Sequence, residues 1–194
     1  AEQMREIKVN PGSIILEPFG KNTAPAIALA ALKAIEKYGN AILIILSSDH
    51  VIKDIKKFLE VLYIGKGYAN EDKLVTFGIV PSGPETGYGY IKSKEEFDVC
   101  DIKGLNIEEF IEKPNLERAK SFIKDKKFTW NSGMFMFKAS TILKELESCH
   151  PEIVLACKRS LQKSSKDLDF ERVDVNEFKK CPNISIDIAV MEKT

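Results

Sequence analysis

The chain has 194 residues, 44% of them apolar, which is enough for one substantial hydrophobic core. Its 29 basic and 29 acidic residues cancel, so no net field favours nucleic acid or an anionic membrane surface. No apolar run approaches the roughly 20 residues that cross a bilayer. Composition therefore argues against a nucleic-acid partner and against a membrane span.

The four cysteines, Cys100, Cys149, Cys157 and Cys181, show no Cys-x-x-Cys spacing. We interpret them as reduced, structural thiols of a cytoplasmic protein. Cys149 beside His150 makes a poor zinc pair, because adjacent residues rarely reach one ion and no further ligand follows at the usual spacing.

A short helical segment and a Pro-Gly turn precede the first predicted strand, residues 13–17. The loop that follows leads into a helix, since Asn22 or Thr23 can cap it and Pro25 suits its first turn. A turn that carries Glu, Lys, Asn and Thr side chains before a helix can recognise a polar ligand. An ordinary strand-to-helix connection explains the same residues, and the pattern alone favours that simpler interpretation.

Residues 42–46 (ILIIL) are typical of a strand buried on both faces, as in a parallel sheet covered by helices. Asp49 follows this strand, and ligands of open α/β sheets bind beyond the carboxyl ends of the strands. A carboxylate there can bind a magnesium ion that itself holds phosphates. A helix cap or turn residue is the alternative.

Residues 73–80 form a third predicted strand after an intervening helix. Strand, helix, strand, helix and strand at this spacing predict a βαβαβ unit with right-handed crossovers. The fold class is therefore α/β, with a mainly parallel central sheet flanked by helices.

Gly87 and Gly89 flank Tyr88 after the third strand, and they let the backbone approach a ligand closely. This segment is not a phosphate loop, because the Lys-Ser/Thr ending and a following helix are absent. Further along, Glu112 and Lys113 would point to opposite faces if they were still in a strand, so that one could face a site. A surface ion pair between them is the alternative.

Residues 128–137 are a predicted strand whose apolar run is interrupted by Asn131, Ser132 and Gly133. Polar side chains in such a place need partners, which a polyhydroxylated ligand would supply. No Ser-His-Asp or Cys-His arrangement supports covalent catalysis, so a mechanism based on a metal ion and positioning fits the sequence better.

Residues 163–169 are predicted as a polar loop. Beyond it, Ser185 can cap a last helix with Asp187 in its first turn, where the helix dipole favours an acid.

Several stretches together resemble the sugar nucleotidyltransferases, in their mannose-1-phosphate guanylyltransferase (GDP-mannose pyrophosphorylase) branch. They are EP with KNTAPA at residues 17–26, LSSDH at 46–50, PETGYGYI at 84–91, FIEKP at 110–114, WNSGMF at 130–135, and SID with MEK at 185–187 and 191–193. Each motif is modest alone, but the set keeps the family's order and spacing over essentially the whole chain.

The resemblance implies a Rossmann-like domain that joins mannose 1-phosphate to GTP with Mg²⁺, giving GDP-mannose and pyrophosphate; it is compatible with a homo-oligomer. The positions that match the nucleotide-binding loop are Glu17, Pro18, Lys21, Asn22 and Thr23. Those that match the sugar-binding positions are Tyr88, Gly89, Glu112, Lys113 and Asn131. Asp49 matches the first metal ligand and a nucleotide contact, and Asp49 and Lys113 are the residues expected to act in catalysis. No role is implied for Asp187.

The chain departs from the family pattern at Ser47-Ser48, where Pro-Ala is more usual, and at both ends. The family's Gly-rich, triphosphate-binding loop and its second metal-binding Asp are not found in residues 1–194. We therefore expect a partial nucleotidyltransferase domain over residues 1–194, incomplete at both ends, inactive alone and belonging to a larger enzyme. The mannose-6-phosphate isomerase domain of bifunctional members shows no trace here.

Three other functions compete with this interpretation. One is a non-catalytic regulatory paralogue that binds nucleotide sugars, and another is a nucleotidyltransferase acting on glucose 1-phosphate, which the NTAPA loop disfavours. A glycosyltransferase of similar topology would show an Asp-x-Asp metal motif, whereas Asp49 is the only acid at the matching place.

Overall fold

Helices and strands alternate along the chain in the computed structural model, which describes all 194 residues. The helices are α1 (Glu2–Glu6), α2 (Thr23–Tyr38), α3 (Ile55–Asn70), α4 (Leu116–Phe122), α5 (Ala139–Cys149), α6 (Pro151–Gln162) and α7 (Val175–Lys179), followed by a π-helical turn (Asp187–Met191). The strands are β1 (Ile15–Leu16), β2 (Ile42–Ile45), β3 (Val75–Ile79), β4 (Tyr90–Ser93), β5 (Ile107–Ile111), β6 (Phe128–Lys138), β7 (Ser165–Asp167) and β8 (Phe170–Arg172). None of these helices is both long and apolar enough to cross a membrane.

The chain divides into two compact units. The terminal unit comprises residues 1–39 and 142–193, and the central unit comprises residues 40–141 together with Thr194. The single partial domain expected over residues 1–194 stays a prediction.

The central unit is built around β6, an 11-residue strand that pairs antiparallel with β2, β3 and β4. β5 extends the sheet by pairing antiparallel with β4. Because β2 and β3 both run against β6, they are parallel to each other and joined through α3, as a βαβ unit requires. The α/β fold class is confirmed, but the neighbouring strands are antiparallel rather than mainly parallel, since β6 lies between the two parallel strands.

Two apolar clusters form the core of the central unit. One contains Tyr90, Ile111, Ala119, Phe122 and Phe128, and the rings of Phe122 and Phe128 stack with their centroids 4.2 Å apart. The other lies under α3 and contains Ala69, Phe77, Met134 and Met136. Both clusters include side chains of β6, so the burial of these apolar side chains holds β6 in place. The strands that pair with β6, and the loops at their ends, are positioned by it.

Strand β2 is less buried than its apolar sequence predicts. Ile44 is 43% exposed, because β2 has a hydrogen-bonded neighbour along one edge only. The prediction of a strand buried on both faces is therefore wrong for this chain.

The terminal unit has a small sheet of its own. β1 pairs parallel with β8, and β8 pairs antiparallel with β7, so β1 does not join β2 and β3 in one βαβαβ sheet as predicted. The predicted polar loop at residues 163–169 contains β7, whose ladder with β8 satisfies the backbone of an otherwise polar segment. α2 packs on α6, and α6 on α7, with Ile153 and Phe178 fully buried.

Candidate functional site

Along one edge of β6, residues 131–134 lie between the part that pairs with β2 and the part that pairs with β4. Trp130 is the last residue of β6 that pairs with β4, and Phe135 is the first that pairs with β2. β3 pairs with both of these residues, so it occupies the opposite edge of β6. β2 and β4 therefore lie along the same edge, with residues 131–134 between them. The end of β2 and the start of β4 both lead into this interval.

Gly89, Glu112 and Asn131 come together at this interval. The Asn131 N–H donates to the Gly89 carbonyl oxygen at 2.8 Å. A Cβ atom placed on Gly89 would lie 2.8 Å from Glu112 Oε2 and 3.4 Å from Asn131 Cβ. Glycine is thus needed for close approach, because any side chain would displace the Glu112 carboxylate.

Lys113 lies beside this carboxylate. Its Nζ is 2.7 Å from Glu112 Oε1, and its backbone has a positive φ of 43°. Since β5 ends at Ile111, the two charged residues are not on opposite faces of a strand, and the predicted alternative of an ion pair is what the structure shows. The side chain of Lys113 is 64% exposed and that of Glu112 is 29% exposed, so the ammonium group lies on the solvent side.

The polar residues that interrupt β6 form a bulge. β3 pairs Thr76 with Phe135 but Gly78 with Asn131, so β6 carries extra residues between these pairs. Gly133 adopts a φ of +69°, and its N–H donates to Asn131 Oδ1 at 3.2 Å. Ser132 Oγ accepts from the Met134 N–H at 3.2 Å. The partners that the sequence led us to expect from a ligand are therefore supplied in part by the backbone of the bulge.

Tyr88 presents its ring at the surface next to the bulge. It is 49% exposed and contacts Trp130 edge to face, with centroids 5.2 Å apart. The Trp130 Nε1–H is buried without a hydrogen-bond partner. The adjacent Tyr90 hydroxyl donates to the Glu85 carbonyl oxygen at 2.9 Å, which fixes the loop before β4.

Asp49 follows the end of β2 in an exposed turn, and its carboxylate forms no hydrogen bond or ion pair with the chain. No group of three or more His, Cys, Asp or Glu side chains that could hold a metal is present. A lone free carboxylate fits Mg²⁺, which usually takes one or two protein carboxylates and completes its shell with water and substrate phosphates. It does not fit a closed structural metal centre such as zinc prefers.

The predicted nucleotide-binding residues lie in the terminal unit. Glu17 follows β1, its Oε1 is buried without a partner, and burial raises the pKa of this carboxyl above its usual value. It contributes to a groove of about 440 Å³ whose walls are Ser13, Ile15, Glu17, Ala26, Leu29 and Ala30. The groove is thus largely apolar with one hydroxyl and one carboxylate.

The rest of the predicted nucleotide loop is held by its own contacts. After the exposed Pro18, Lys21 Nζ lies 5.6 Å from the Phe19 ring centroid and donates to the Lys179 carbonyl oxygen at 3.4 Å. Asn22 caps α2, as predicted, by accepting from the Thr23 N–H at 2.9 Å. These contacts fix the loop and leave its role in binding a prediction.

The loop is also tied to the segment before the π-helical turn. Thr23 Oγ1 accepts from the Ile186 N–H at 2.8 Å, and the Ala24 N–H donates to the Ile184 carbonyl oxygen at 3.2 Å. Ser185 Oγ accepts from the Ile188 N–H at 3.3 Å, which ties Ser185 to the π-helical turn that begins at Asp187. The motif around Asp187 therefore contributes at least a structural support for the loop that carries Thr23.

Two contacts in the structure were not predicted from the sequence, one in the central unit and one in the terminal unit. Thr76 Oγ1 lies 3.1 Å from Asn131 Oδ1, and a hydroxyl within an apolar strand is a signal that could have indicated a buried partner. Cys157 and Cys181 bring their sulfur atoms within 3.9 Å, 24 residues apart, a pairing that no local motif reveals. A hydrogen bond with Cys181 and burial raise the pKa of the Cys157 thiol, consistent with the predicted structural role.

Comparison with known proteins shows the family to which the chain belongs. A family model described as nucleotidyl transferase matches residues 1–176. The chain belongs to the nucleotidyl transferase family. Its relatives include proteins named mannose-1-phosphate guanylyltransferase from Salmonella montevideo, at 48% identity, and Escherichia coli K12, at 45%. A xanthan biosynthesis protein, XanB of Xanthomonas campestris, is 45% identical.

Each of these matches covers 100% of this chain but 40 to 41% of the relative, so the chain spans about two fifths of the length of these relatives. The sequence-based resemblance to mannose-1-phosphate guanylyltransferases is thus confirmed over the whole chain.

Two solved structures share the fold. One, described as mannose-6-phosphate isomerase from Helicobacter pylori, has a TM-score of 0.84 at 33% identity and covers 100% of this chain and 73% of that one. The other, described as mannose-1-phosphate geranyltransferase from Thermus thermophilus, has a TM-score of 0.77 at 32% identity, covering 92% and 49%.

Proposed function

We propose that the intact protein transfers GMP from GTP to mannose 1-phosphate, giving GDP-mannose and pyrophosphate. The structural observation that carries the proposal is the meeting of Gly89, Glu112 and Asn131 at the edge of β6 between β2 and β4. These residues offer carboxylate and amide groups beside bare backbone, which suits the vicinal hydroxyls of a sugar. The named activities of the similar proteins supply the choice of mannose 1-phosphate and GTP.

In this proposal the sugar is bound by the central unit. Glu112 accepts hydrogen bonds from sugar hydroxyls, and Tyr88 offers an exposed aromatic ring to the apolar face of the sugar. Lys113 carries the positive charge closest to this carboxylate, and it stabilises phosphate oxygens while the sugar phosphate attacks the α-phosphorus of GTP. A new O–P bond forms as the bond to the β-phosphate oxygen breaks, and pyrophosphate leaves.

The base is recognised by the terminal unit through Glu17. Guanine presents two adjacent donors, N1–H and the N2 amino group, whereas uracil and thymine present one N–H between two carbonyl oxygens. A carboxylate with an unpartnered buried oxygen, in a groove with apolar walls, suits the paired donors of guanine. The carboxylate therefore favours GTP over UTP or dTTP.

Replacing Glu17 by glutamine tests this role and its energetic cost. In the folded state burial raises the pKa of Glu17. The free energy of unfolding therefore begins to fall when the pH exceeds the ordinary pKa of the unfolded chain. The loss is complete once the pH has passed the raised pKa of the folded state. Glu17→Gln should therefore raise the free energy of unfolding at about pH 7 and not at about pH 4. The same variant should lose its preference for GTP over UTP. Urea unfolding at both pH values and competition assays measure the two effects; a variant that is no more stable and equally selective contradicts the role.

We further propose that Asp49 is a ligand of Mg²⁺ in the intact enzyme. The ion would screen the charge of the phosphates during transfer. This chain contributes one free carboxylate at the end of β2, and no other residue of it is assigned to the ion.

Replacing Asp49 by asparagine should raise the Mg²⁺ concentration needed for half-maximal activity at least about tenfold, because a charged ligand of the ion is removed. The fold should be unaffected, since Asp49 is exposed. Activity measured against Mg²⁺ concentration checks this, with the exposed Glu60→Gln of α3 as the matched control. An unchanged Mg²⁺ dependence would remove Asp49 from the metal site.

The experiment that tests the whole proposal is pyrophosphate release by the intact protein from GTP, UTP and dTTP, each with mannose 1-phosphate or glucose 1-phosphate. The expected result is turnover with GTP and mannose 1-phosphate. Turnover with glucose 1-phosphate and another nucleotide would assign a different transferase. Binding of GDP-mannose without any turnover would indicate a regulatory protein. The same assay in cytoplasmic and other cell fractions would test the cytoplasmic location that the free thiols favour.

A further inference from the structure

Two buried thiols that have no part in the proposed reaction lie together in the terminal unit. Cys157 is fully buried in α6, and Cys181, two residues after the end of α7, is 1% exposed. Their Sγ atoms are 3.9 Å apart. A disulfide has an S–S distance of about 2.05 Å, so the sulfur atoms need to approach by about 2 Å, which side-chain rotation with a small shift of the backbone supplies.

The hydrogen bonds of this pair depend on its two protons. A thiol has one hydrogen, and Cys157 Sγ lies 3.6 Å from the Pro25 carbonyl oxygen as well as 3.9 Å from Cys181 Sγ. With both thiols protonated, Cys157 donates to the carbonyl oxygen, which can only accept, and Cys181 donates to Cys157. When Cys181 loses its proton, the Cys157 S–H is the donor that stabilises the Cys181 thiolate. The pair therefore consists of one nucleophile and one proton donor.

The surrounding charges favour Cys181 as the thiol that ionises. A hydrogen bond from Cys157 lowers the pKa of the Cys181 thiol, burial opposes this, and the Lys21 ammonium group lowers the pKa further. A hydrogen bond with Cys181 and burial raise the pKa of the Cys157 thiol. The Glu17 carboxylate opposes the loss of a proton from either thiol. Because the thiolate is the form that reacts with oxidants, Cys181 is the sulfur that reacts first.

The pair is connected to the predicted nucleotide loop by two contacts. Lys21 Nζ donates to the carbonyl oxygen of Lys179, two residues before Cys181. Cys157 bonds to Pro25, which lies in the first turn of α2 directly after the loop. A disulfide removes both S–H groups and draws Cys181 toward α6. The Pro25 carbonyl oxygen then loses its thiol donor, and the segment that holds Lys21 shifts.

We propose that Cys157 and Cys181 form a reversible disulfide when the protein meets a peroxide, and that this disulfide weakens the binding of GTP. With hydrogen peroxide, the Cys181 thiolate attacks one oxygen, the O–O bond breaks and hydroxide leaves, giving a sulfenic acid. The Cys157 thiol then attacks the Cys181 sulfur. The S–S bond forms as the S–O bond breaks, and the OH group leaves with the thiol proton as water. The two sulfur atoms give up the two electrons that reduce the peroxide.

The oxidant reaches Cys181 by a local opening of the chain. Lys179 and Lys180 before it and Asn183 after it are exposed, so a small part of the terminal unit has to open to admit hydrogen peroxide. We expect oxidation of Cys181 to be slower than that of the exposed Cys100.

Peptide mapping of the intact protein after treatment with hydrogen peroxide tests the disulfide. Free thiols are alkylated, the protein is digested without reduction, and the peptides are identified by mass spectrometry. The expected result is a linked pair of peptides that contain Cys157 and Cys181 and that dithiothreitol separates. Alkylation of both residues, or sulfinic acid at Cys181 with alkylated Cys157, would overturn the inference. This readout does not depend on transferase activity.

Kinetics of the intact enzyme test the effect on GTP, which rests on the proposed function. Oxidation should raise KM for GTP about fivefold, the cost of about one hydrogen bond, and leave KM for mannose 1-phosphate unchanged. Dithiothreitol should reverse the change. Cys157→Ala and Cys181→Ala should each abolish the response to peroxide. Cys149→Ala, which removes a half-buried thiol of the same unit outside the pair, should retain it.

Two outcomes would overturn the effect on GTP binding. One is a linked pair of peptides with an unchanged KM for GTP, and the other is the same rise in KM in the Cys181→Ala variant. An intact protein that forms the disulfide but shows no transferase activity would contradict the proposed function and leave the disulfide established.

Discussion

Replacing Gly89 by alanine is expected to lower kcat/KM of the intact enzyme for mannose 1-phosphate about a hundredfold, the size of effect that a displacement of about 1 Å produces in an active site. The added Cβ would lie 2.8 Å from Glu112 Oε2, so the carboxylate must leave its position over the backbone. Lys113, which is paired with this carboxylate at 2.7 Å, would move with it. The fold should survive, because the displaced atom is the end of a flexible side chain. Steady-state kinetics with circular dichroism of the same samples measures both effects.

Gly87→Ala is the matched control, two positions earlier in the same loop. A Cβ on Gly87 meets nothing within 4 Å, so this variant should keep nearly full activity. If Gly89→Ala were as active as the wild type, the contact between Glu112 and the backbone would have no part in the reaction. If both variants were equally impaired, loop flexibility rather than this contact would be the cause.

Replacing Phe178 by alanine should lower the free energy of unfolding by about 3–5 kcal/mol, the usual cost of truncating a buried aromatic ring. Phe178 is fully buried in α7, and its ring centroid is 5.8 Å from that of Phe19. Because small domains are stable by only about 5–15 kcal/mol, the variant should unfold at a much lower urea concentration. The loss of the Phe178 ring should also loosen Phe19, and with it the Lys21 side chain that lies over the Phe19 ring.

Val175→Ala provides the control within the same helix, since Val175 is 52% exposed and should change stability by no more than about 0.5 kcal/mol. Urea unfolding followed by tryptophan fluorescence and circular dichroism compares the two variants. A loss of less than about 1 kcal/mol in Phe178→Ala would mean that the surrounding side chains collapse into the space left by the ring.

Local features were predictable from sequence because they depend on residues close together in the chain. Asn22 was expected to cap a helix, and it accepts a hydrogen bond from the Thr23 N–H at the start of that helix. A close approach at Gly89 was also expected, but to a ligand; the group that the structure places there is the Glu112 carboxylate, more than 20 residues further along the sequence. Features that depend on neighbouring residues, such as the start of a helix, could therefore be predicted from the sequence.

Strand pairing was less predictable, because a hydrophobic run predicts that a strand exists but does not predict which other strand it pairs with. Residues 42–46 and 73–80 suggested adjacent parallel strands, yet β6, which begins only at Phe128, lies between them. The polar bulge in β6 was visible as an interruption of an apolar run, but its internal hydrogen bonds were not. A ligand was invoked to satisfy Asn131 where Gly133 and Thr76 satisfy part of it.

Because β2, β3 and β4 all pair with β6, the protein should tolerate insertions and deletions in some segments and not in β6. Side chains alternate between the two faces of a strand, so removing a single residue between Trp130 and Phe135 would turn one half of β6 over relative to the other. Asn131 would then leave Gly89, or Phe135 would leave Ile45. The connection between β4 and β5, residues 94–106, carries none of these registers and can change in length without moving them. Variation in length among homologous chains should accumulate in that connection and be excluded from the four residues between Trp130 and Phe135.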